Sequence, residues 1–459
     1  MKRALPVFGA LLALSGCTMG PKYQRPAIAA PPAFRGAAES TTATESLGDS
    51  KWWTVFQDEE LQQLIRTALA ENLDVRLAAS RIVQAQAQVG ITRADQFPVI
   101  NGTGSVARQR NPSNPVFPAF EANMSQLGLS SVWQLDFWGR YRKATEAARA
   151  TMMANEWNRK AVIGTLVANV ATAYFQLREL DLELEISQRT LAARKESLQL
   201  NRTLEEGGAI SRLDVHQAEV LLEQAARKIP DIEKRLALQE NLISTLLGRN
   251  PGDVARGKRL TEQMLPPAIP AGLPSTLLER RPDIRQAEWQ LIAANARIGV
   301  AKAALFPQIS LTGVAGFQAY SITGLFDSKV YNVGAALTQP IFDFGRNRAN
   351  VRLSEAQKEE MVLEYRQAVQ QGFREVSDAL VSVTRNREYR ERQESLRRAA
   401  GQASEMSSIR YKGGATSYLE VLRSETDLFD AELELAQAQL QERLAVVQVY
   451  NALGGGWEQ

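Results

Sequence analysis

The stretch that decides the fold is residues 139–206, which read GRYRKATEAARATMMANEWNRKAVIGTLVANVATAYFQLRELDLELEISQRTLAARKESLQLNRTLEE. It contains no proline, and its only glycine after the first residue is Gly164. Its apolar residues recur at spacings of three and four, which is typical of one face of an α-helix. Such a helix would extend about 100 Å, whereas helices of globular domains usually have roughly 8 to 20 residues. The stretch therefore predicts a coiled-coil strut.

The composition is that of a chain whose bulk lies in water. Charged residues make up 23% of the 459 residues, and the formal net charge is only +3. No basic stripe interleaved with aromatic residues is present, so nucleic-acid binding is disfavoured. The chain has one cysteine and one histidine, which leaves no disulfide and no Cys/His metal site to predict.

The N-terminus reads MKRALPVFGALLALSGC, a cationic start followed by an apolar run too short to span a bilayer. Residues 1–16 are predicted to be a signal peptide. Leu14-Ser15-Gly16-Cys17 resembles a bacterial lipoprotein box, which implies lipidation of Cys17 after cleavage. The alternative is an ordinary signal peptide cleaved elsewhere, with Cys17 discarded. By analogy with other lipoproteins, Thr18 argues against retention in the inner membrane.

The first half of the mature chain divides into an arm and a helical and stranded region. Residues 17–57 are predicted to be a lipidated N-terminal arm rich in Ala, Pro, Ser and Thr. Residues 58–248 are predicted to hold short helices, strands at about 98–110 and 122–137, the long helix 139–206 and a return helix at about 212–247. Asp58 is a candidate N-cap, and Pro230 predicts a kink or break in the return helix.

The second predicted strand alternates between apolar and polar residues. Its two faces carry Leu127, Leu129, Trp133, Leu135 and Phe137 on one side and Gln126, Gly128, Ser130, Gln134 and Asp136 on the other. Alternation that ends in an aromatic residue is typical of a transmembrane β-strand. The first strand alternates poorly, and a soluble hairpin is the alternative interpretation.

The first half of the chain is repeated in the second. The matched pairs are Phe97-Pro98 with Phe306-Pro307, Val89-Gly90 with Ile298-Gly299, Asp136-Phe137 with Asp343-Phe344, Gly139-Arg140 with Gly345-Arg346, Gly207-Gly208 with Gly413-Gly414 and Leu247-Gly248 with Leu453-Gly454. The separation stays between 206 and 209 residues, which indicates a duplicated unit.

The repeat sets the remaining boundaries. After a Pro/Gly-rich linker at 249–274, the second repeat covers 275–454, and residues 455–459 form a C-terminal tail. Its predicted elements are strands at about 307–319 and 330–344, a long helix at about 345–412 and a return helix at about 418–453. Four membrane strands per chain cannot close a sheet, and open edges are not tolerated in hydrocarbon, so we expect an oligomer.

Several motifs of the mature chain are similar to those of the TolC-like outer-membrane efflux channels, in the lipoprotein branch. They are Leu273-Pro274-Ser275, Leu278, Arg280-Arg281-Pro282-Asp283-Ile284, Ala287-Glu288, the paired Gly-Gly turns and the ending Ala452-Leu453-Gly454-Gly455-Gly456-Trp457. The resemblance implies a mixed α and transmembrane β fold, in which a homotrimer builds a 12-stranded β-barrel and a 12-helix periplasmic α-barrel. It also implies a periplasmic adaptor and an inner-membrane pump as partners, in the outer membrane of the cell.

The candidate site lies at the tips of the two helical hairpins. In a trimer, Asp214 and Glu420 would form rings of carboxylates, which select cations. The family carries acids at second-repeat positions of the closed aperture; Glu420 matches one, whereas Arg423 stands where an acid is usual and is placed to pair with Glu420 instead. Tyr411 fits the tyrosine of the family gate, and Thr416 replaces its arginine, for which Arg212 is a substitute. The alternative is a solvated helix surface.

The resemblance suggests that the hairpin tips also contact the adaptor. The residues concerned are Gly207, Gly208, Ser211, Gly413, Gly414 and Ser417. The glycines permit positive φ and a tight reversal between long helices. The alternative is that they form turns only.

We predict no enzyme activity and no cofactor, because no phosphate loop or nucleophile elbow is present. His216 is expected to be a solvated surface residue. The leading functional prediction is a passive exit duct of a tripartite efflux pump for drugs or other small amphiphilic compounds. The alternatives are the exit channel of a type I protein secretion system and a structural lipoprotein tether of the outer membrane.

Overall fold

The computed structural model describes residues 18–36, 46–113, 115–116, 118–263 and 270–457. The predicted signal peptide and Cys17 lie outside these residues. The described chain divides into two compact units. The strand unit comprises residues from 18 to 27, 80 to 156 and 286 to 367, and the hairpin unit comprises those from 28 to 79, 157 to 285 and 368 to 457.

The helices follow the duplicated pattern. In chain order they are α1 (Trp52–Val55), α2 (Glu59–Glu71), α3 (Leu73–Ala94), α4 (Arg140–Glu206), α5 (Arg212–Ala226), α6 (Lys228–Leu246), α7 (Pro274–Arg280), α8 (Pro282–Ala303), α9 (Arg346–Lys412) and α10 (Tyr418–Ala452). The long helices α4 and α9 have 67 residues each and begin one residue later than predicted. Of the helices that the structure describes, none combines the length and the hydropathy needed to cross a membrane.

The predicted single return helix of the first repeat is two helices. Helix α5 ends at Ala226 and α6 begins at Lys228, with Arg227 between them. Pro230 occupies the first turn of α6. Backbone N–H groups in a first turn have no acceptor within the helix, so the N–H that proline lacks costs no helical hydrogen bond. The predicted break is therefore present, but it lies before the proline. The equivalent return helix α10 is continuous from Tyr418 to Ala452.

The four strands form one antiparallel sheet in the order β1-β2-β3-β4. Their bounds are Val99–Asn111, Phe120–Leu135, Gln308–Ala319 and Lys329–Thr338. Strand β2 of the first repeat pairs with β3 of the second, from Ser125 opposite Ala319 to Leu135 opposite Ile309. The two repeats thus share a continuous sheet, and β1 and β4 are its outer strands.

The register places apolar residues of neighbouring strands on the same face. Leu129 lies opposite Ala315, and Leu311 lies opposite both Trp133 and Ala335. The other face carries mostly polar and small residues, such as Gln126 opposite Gln318 and Gln134 opposite Ser310. The alternation predicted for the second strand therefore extends across the sheet, as expected of a sheet with lipid on one side and water on the other.

Strand β4 is shorter than the predicted 330–344, because it ends at Thr338. Pro340 follows and has no N–H to donate to a sheet ladder. Asp343 then accepts hydrogen bonds from the backbone N–H groups of Gly345 (2.9 Å) and Asn347 (2.9 Å). Residues 339–344 thus connect the sheet to helix α9, and Asp343 accepts hydrogen bonds from the backbone at the start of that helix.

Asp58 organises the packing of the hairpin unit. Its carboxylate caps α2 by accepting from the N–H groups of Glu60 and Leu61, as predicted. It also accepts from the Tyr174 hydroxyl (2.8 Å), the Lys258 N–H (2.9 Å) and the Gln263 side chain (2.5 Å). Burying this charge is tolerable because several donors replace its hydration. Asp58 thereby ties the segment after α6 to α2 and α4.

The end of the predicted arm and part of the predicted linker pack in the core of the hairpin unit. Residues Leu47–Asp49 form a 3-10 helix, and Trp52 of α1 is buried. Val254 and Leu260 of the predicted linker are also buried in the core of the hairpin unit. Apolar side chains at these positions were visible in the sequence, but the Pro/Gly content suggested a loop without packing.

One buried carboxyl group on α4 makes the stability of the hairpin unit depend on pH. Glu179 is buried, and this burial, with the Glu183 carboxylate beside it, raises its pKa to about 8. The folded chain therefore holds a proton that the unfolded chain releases at an ordinary glutamate pKa. The contribution of Glu179 to the free energy of unfolding is therefore fully present below the ordinary glutamate pKa. It is lost as the pH rises through the folded-state pKa of about 8.

We expect Glu179→Gln to stabilise the protein in alkaline solution only. Because glutamine removes the cost of ionising a buried acid, the gain is on the order of a few kcal/mol above pH 8 and near zero at pH 5. Thermal unfolding followed by helical circular dichroism at both pH values measures it. Glu196→Gln, at an exposed position of the same helix, is the matched control. An equal effect of Glu179→Gln at both pH values would contradict the assignment.

Candidate functional site at the hairpin tips

Both hairpins reverse direction through the same glycine motif. Gly208 and Gly414 adopt φ values of +73° and +69°, which side chains other than glycine rarely adopt. The N–H of Ala209 donates to the Leu204 carbonyl (2.8 Å), and that of Ala415 donates to the Arg410 carbonyl (2.9 Å). These bonds satisfy carbonyls at the ends of α4 and α9 in the Schellman arrangement. The turns are exposed, as an interaction surface requires.

The first tip is closed by a capping box. Asp214 accepts a hydrogen bond from the backbone N–H of Ser211 (3.1 Å), and the Ser211 hydroxyl accepts one from the N–H of Asp214 (3.3 Å). These reciprocal bonds satisfy two donors at the start of α5. The carboxylate predicted to line an aperture therefore also has a local structural role.

The second tip lacks this box. Ser417 makes no side-chain hydrogen bond at the start of α10, although it is the N-cap residue. The Glu420 carboxylate instead lies 3.9 Å from the Arg410 guanidinium at the end of α9. The ion pair predicted as an alternative between Glu420 and Arg423 is absent from the described residues. At an exposed site, an ion pair at this distance contributes little to the free energy of unfolding.

A hydrogen bond joins the two hairpins near their tips. The Tyr411 hydroxyl of α9 donates to the side-chain carbonyl of Asn201 on α4 (3.0 Å). The Tyr411 ring also packs on Tyr418, with ring centroids 5.3 Å apart. Both rings belong to a small apolar cluster with Leu198 and Val215 of the first hairpin. Tyr411 therefore connects the two repeats near the hairpin tips.

Both tyrosines stay protonated in neutral solution. Burial raises the pKa of Tyr411, and the negative charge of Asp214 adds to the increase. Burial likewise raises the pKa of Tyr418, against the opposing hydrogen bonds with Ser197 and Asn201. The Tyr411 hydroxyl thus remains a donor to Asn201 over the physiological pH range.

The two predicted arginines are exposed. Arg212 and Arg423 lie on the surface of α5 and α10, and neither forms an ion pair within the part of the chain that the structure describes. His216 is exposed as well, and its Nδ1 lies 2.9 Å from the Glu219 carboxylate. Among the described residues, no group of three or more histidine, cysteine, aspartate or glutamate residues is placed to hold a metal ion.

Sequence reasoning found Tyr411 but missed its partners. Asn201 is fully buried and Tyr418 is nearly so. Asn201 lies nearly two turns before the Gly-Gly reversal, on the helix face that also carries Leu198. An asparagine on an apolar helix face was the available signal, but its partner lies 210 residues away in the other repeat.

The chain matches a known protein family over most of its length. The model of the outer membrane efflux protein family matches residues 64–249 and 273–455, one range in each of the two predicted repeats. The toluene efflux pump outer membrane protein TtgC of Pseudomonas putida is 37% identical over 97% of this chain and 93% of its own length. The cation efflux system protein CusC of Escherichia coli is 34% identical over 98% of each chain.

Solved structures agree with this assignment. The open state of the outer membrane channel MtrE of Neisseria gonorrhoeae covers 96% of this chain and 99% of its own, with a TM-score of 0.88 and 31% identity. The predicted fold class, a duplicated long-helix protomer of a trimeric outer-membrane channel, is thereby confirmed. The resemblance that the sequence motifs indicated is confirmed as well. The chain belongs to the outer membrane efflux protein family, whose members act as exit ducts of tripartite efflux pumps.

Proposed function

We propose that this chain acts as a homotrimeric, passive exit duct through which a tripartite pump exports drugs or other small amphiphilic compounds, with no catalytic step. The observation that carries the proposal is the match of both repeats to efflux ducts along nearly the whole chain. The duct reaches from the outer membrane into the periplasm. Its pump consists of an inner-membrane transporter and a periplasmic adaptor that contacts the hairpin tips. The coiled-coil tether is not favoured, because a tether has no use for a four-stranded sheet.

The tip residues would control passage. Asp214, Glu420 and Arg423 supply charge around the narrow end, and Tyr411 and Arg212 supply donors. The bond from Tyr411 to Asn201 holds one hairpin against the other in each copy. A neutral hydrogen bond stabilises by about 1 kcal/mol, so three copies contribute about 3 kcal/mol, which is roughly a hundredfold in an equilibrium. The hairpins are thus held together by bonds weak enough to be broken by an adaptor.

We predict that Tyr411→Phe, alone or with Arg423→Ala, raises the single-channel conductance in planar bilayers. Loss of the bond to Asn201 frees the second hairpin to move away from the first. Tyr389→Phe removes a hydroxyl from an exposed part of the same helix and is the matched control, with unchanged conductance expected. Glu420→Gln is expected to lower the preference for cations. Wild-type conductance and selectivity in all these variants would place the constriction elsewhere.

We also propose that Cys17 carries the lipid of an outer-membrane lipoprotein. The support is the sequence Leu14-Ser15-Gly16-Cys17 after an apolar run, with no other cysteine in the chain. A lipid anchor strengthens the attachment to the membrane that the spanning sheet already provides.

Labelled palmitate is expected to enter the wild-type protein and not Cys17→Ala. Thr18→Ala keeps the cysteine and should still be labelled, which controls for changes near the cleavage site. Membrane fractions should contain both variants, because the sheet spans the membrane independently of the lipid. Label in Cys17→Ala would exclude the assignment.

A further inference from the structure

A stacked aromatic pair joins the two repeats inside the strand unit. The indole of Trp138, just before α4, stacks on the Phe306 ring, with centroids 4.8 Å apart and an interplanar angle of 25°. The indole N–H donates to the carbonyl oxygen of Pro307 (2.8 Å). Trp138 belongs to the first repeat and Phe306 to the second. We call this contact the internal seam.

Helix α8 continues the internal seam by packing closely on its neighbours. A Cβ atom at Gly299 would lie 2.6 Å from the Met19 carbonyl oxygen and 2.9 Å from the Lys143 side chain, so no side chain fits there. Ile298 beside it is only 2% exposed. The second repeat is therefore covered on this side by the first repeat and by the start of the arm.

The equivalent positions of the first repeat are uncovered. Gly90 corresponds to Gly299, and a Cβ atom there would meet nothing within 4 Å. Phe97 corresponds to Phe306 and is 57% exposed. Ile91 on the same helix is 58% exposed. The face of α3 that matches the packed face of α8 thus has no partner within the described chain.

The residue that would supply this partner is exposed at the other end of the repeat. The second repeat has one residue fewer here, so Phe344 follows Asp343 as Phe137 follows Asp136, and it also immediately precedes Gly345 as Trp138 precedes Gly139. Its side chain is fully exposed. Its φ of +51° is rare for a residue other than glycine. With Ile341 and Phe342 it lines a cavity of about 440 Å³. Large exposed apolar groups of this kind mark interaction sites.

We propose that Phe344 of one copy packs on Phe97 of the next copy, so that the seam between chains repeats the internal seam within each chain. The occupant is a second copy, because Phe97 of another copy is exposed and stands at the first-repeat position that corresponds to Phe306, which Trp138 covers within the chain. The outer strands β1 and β4 would pair beside this contact, as β2 and β3 do within the chain. The proposal rests on the trimer of the proposed function.

The seam between copies differs from the internal seam in one chemical respect. Phenylalanine has no indole N–H, so Phe344 offers no donor to the Pro98 carbonyl that corresponds to Pro307. The contact between copies is therefore apolar, whereas the internal seam also contains a hydrogen bond.

Cysteine cross-linking tests the contact directly. The variant Phe97→Cys/Phe344→Cys, kept full length and purified in detergent, is treated with an oxidant or a short bismaleimide. Covalent dimers and closed trimers are expected on denaturing gels. Each single variant retains Cys17 and reports its background. The pair Val83→Cys/Phe344→Cys is the matched control, because Val83 is as exposed as Phe97 but lies about 20 Å further along α3; it should not cross-link.

Light scattering on the same samples distinguishes failure of the contact between Phe97 and Phe344 from failure of the trimer. A trimeric mass without cross-linking of the Phe97/Phe344 pair, or with equal cross-linking of the Val83 control, overturns the seam and leaves the duct intact. A monomeric mass for the wild-type protein overturns the trimer of the proposed function and the seam with it. A trimer that cross-links only through Phe97 and Phe344 supports both.

Discussion

Unpaired backbone groups at the edges of the sheet are the constraint on which the rest of the structure depends. Strand β1 pairs only with β2 and β4 only with β3, so each outer strand has a row of N–H and C=O groups without partners within the described chain. In hydrocarbon, every such group costs several kcal/mol, and water is absent to replace the missing bonds. A single chain is therefore an incomplete membrane structure.

Each repeat also contains one long helix that reverses at a glycine. Helices α4 and α9 have the same length, and each returns through a glycine with positive φ. Because both hairpins have the same length, the two repeats end at the same level and can bond to each other, as Tyr411 and Asn201 do. Equal helix length is thus what brings two separate stretches of sequence into one site.

Local patterns predicted the elements but not the contacts between repeats. The spacing of apolar residues defined α4 and α9, and the alternation at 126–137 defined the faces of β2, since these signals lie within one stretch of chain. The break at Arg227 was displaced from Pro230 because proline is tolerated in a first helical turn. Asn201 and Tyr418 were missed because their roles depend on a hairpin about 200 residues away, which no local pattern encodes.

The stack of Trp138 on Phe306 lies within one chain, so the folding that it stabilises and the association of copies depend differently on protein concentration. This contact is intramolecular, so its strength does not depend on protein concentration, and each chain can order both repeats before it meets another copy. Contacts at the outer strands obey mass action and weaken on dilution. Substitutions at the internal stack therefore reduce the yield of folded chains, whereas substitutions at the sheet edges change the concentration at which folded chains assemble.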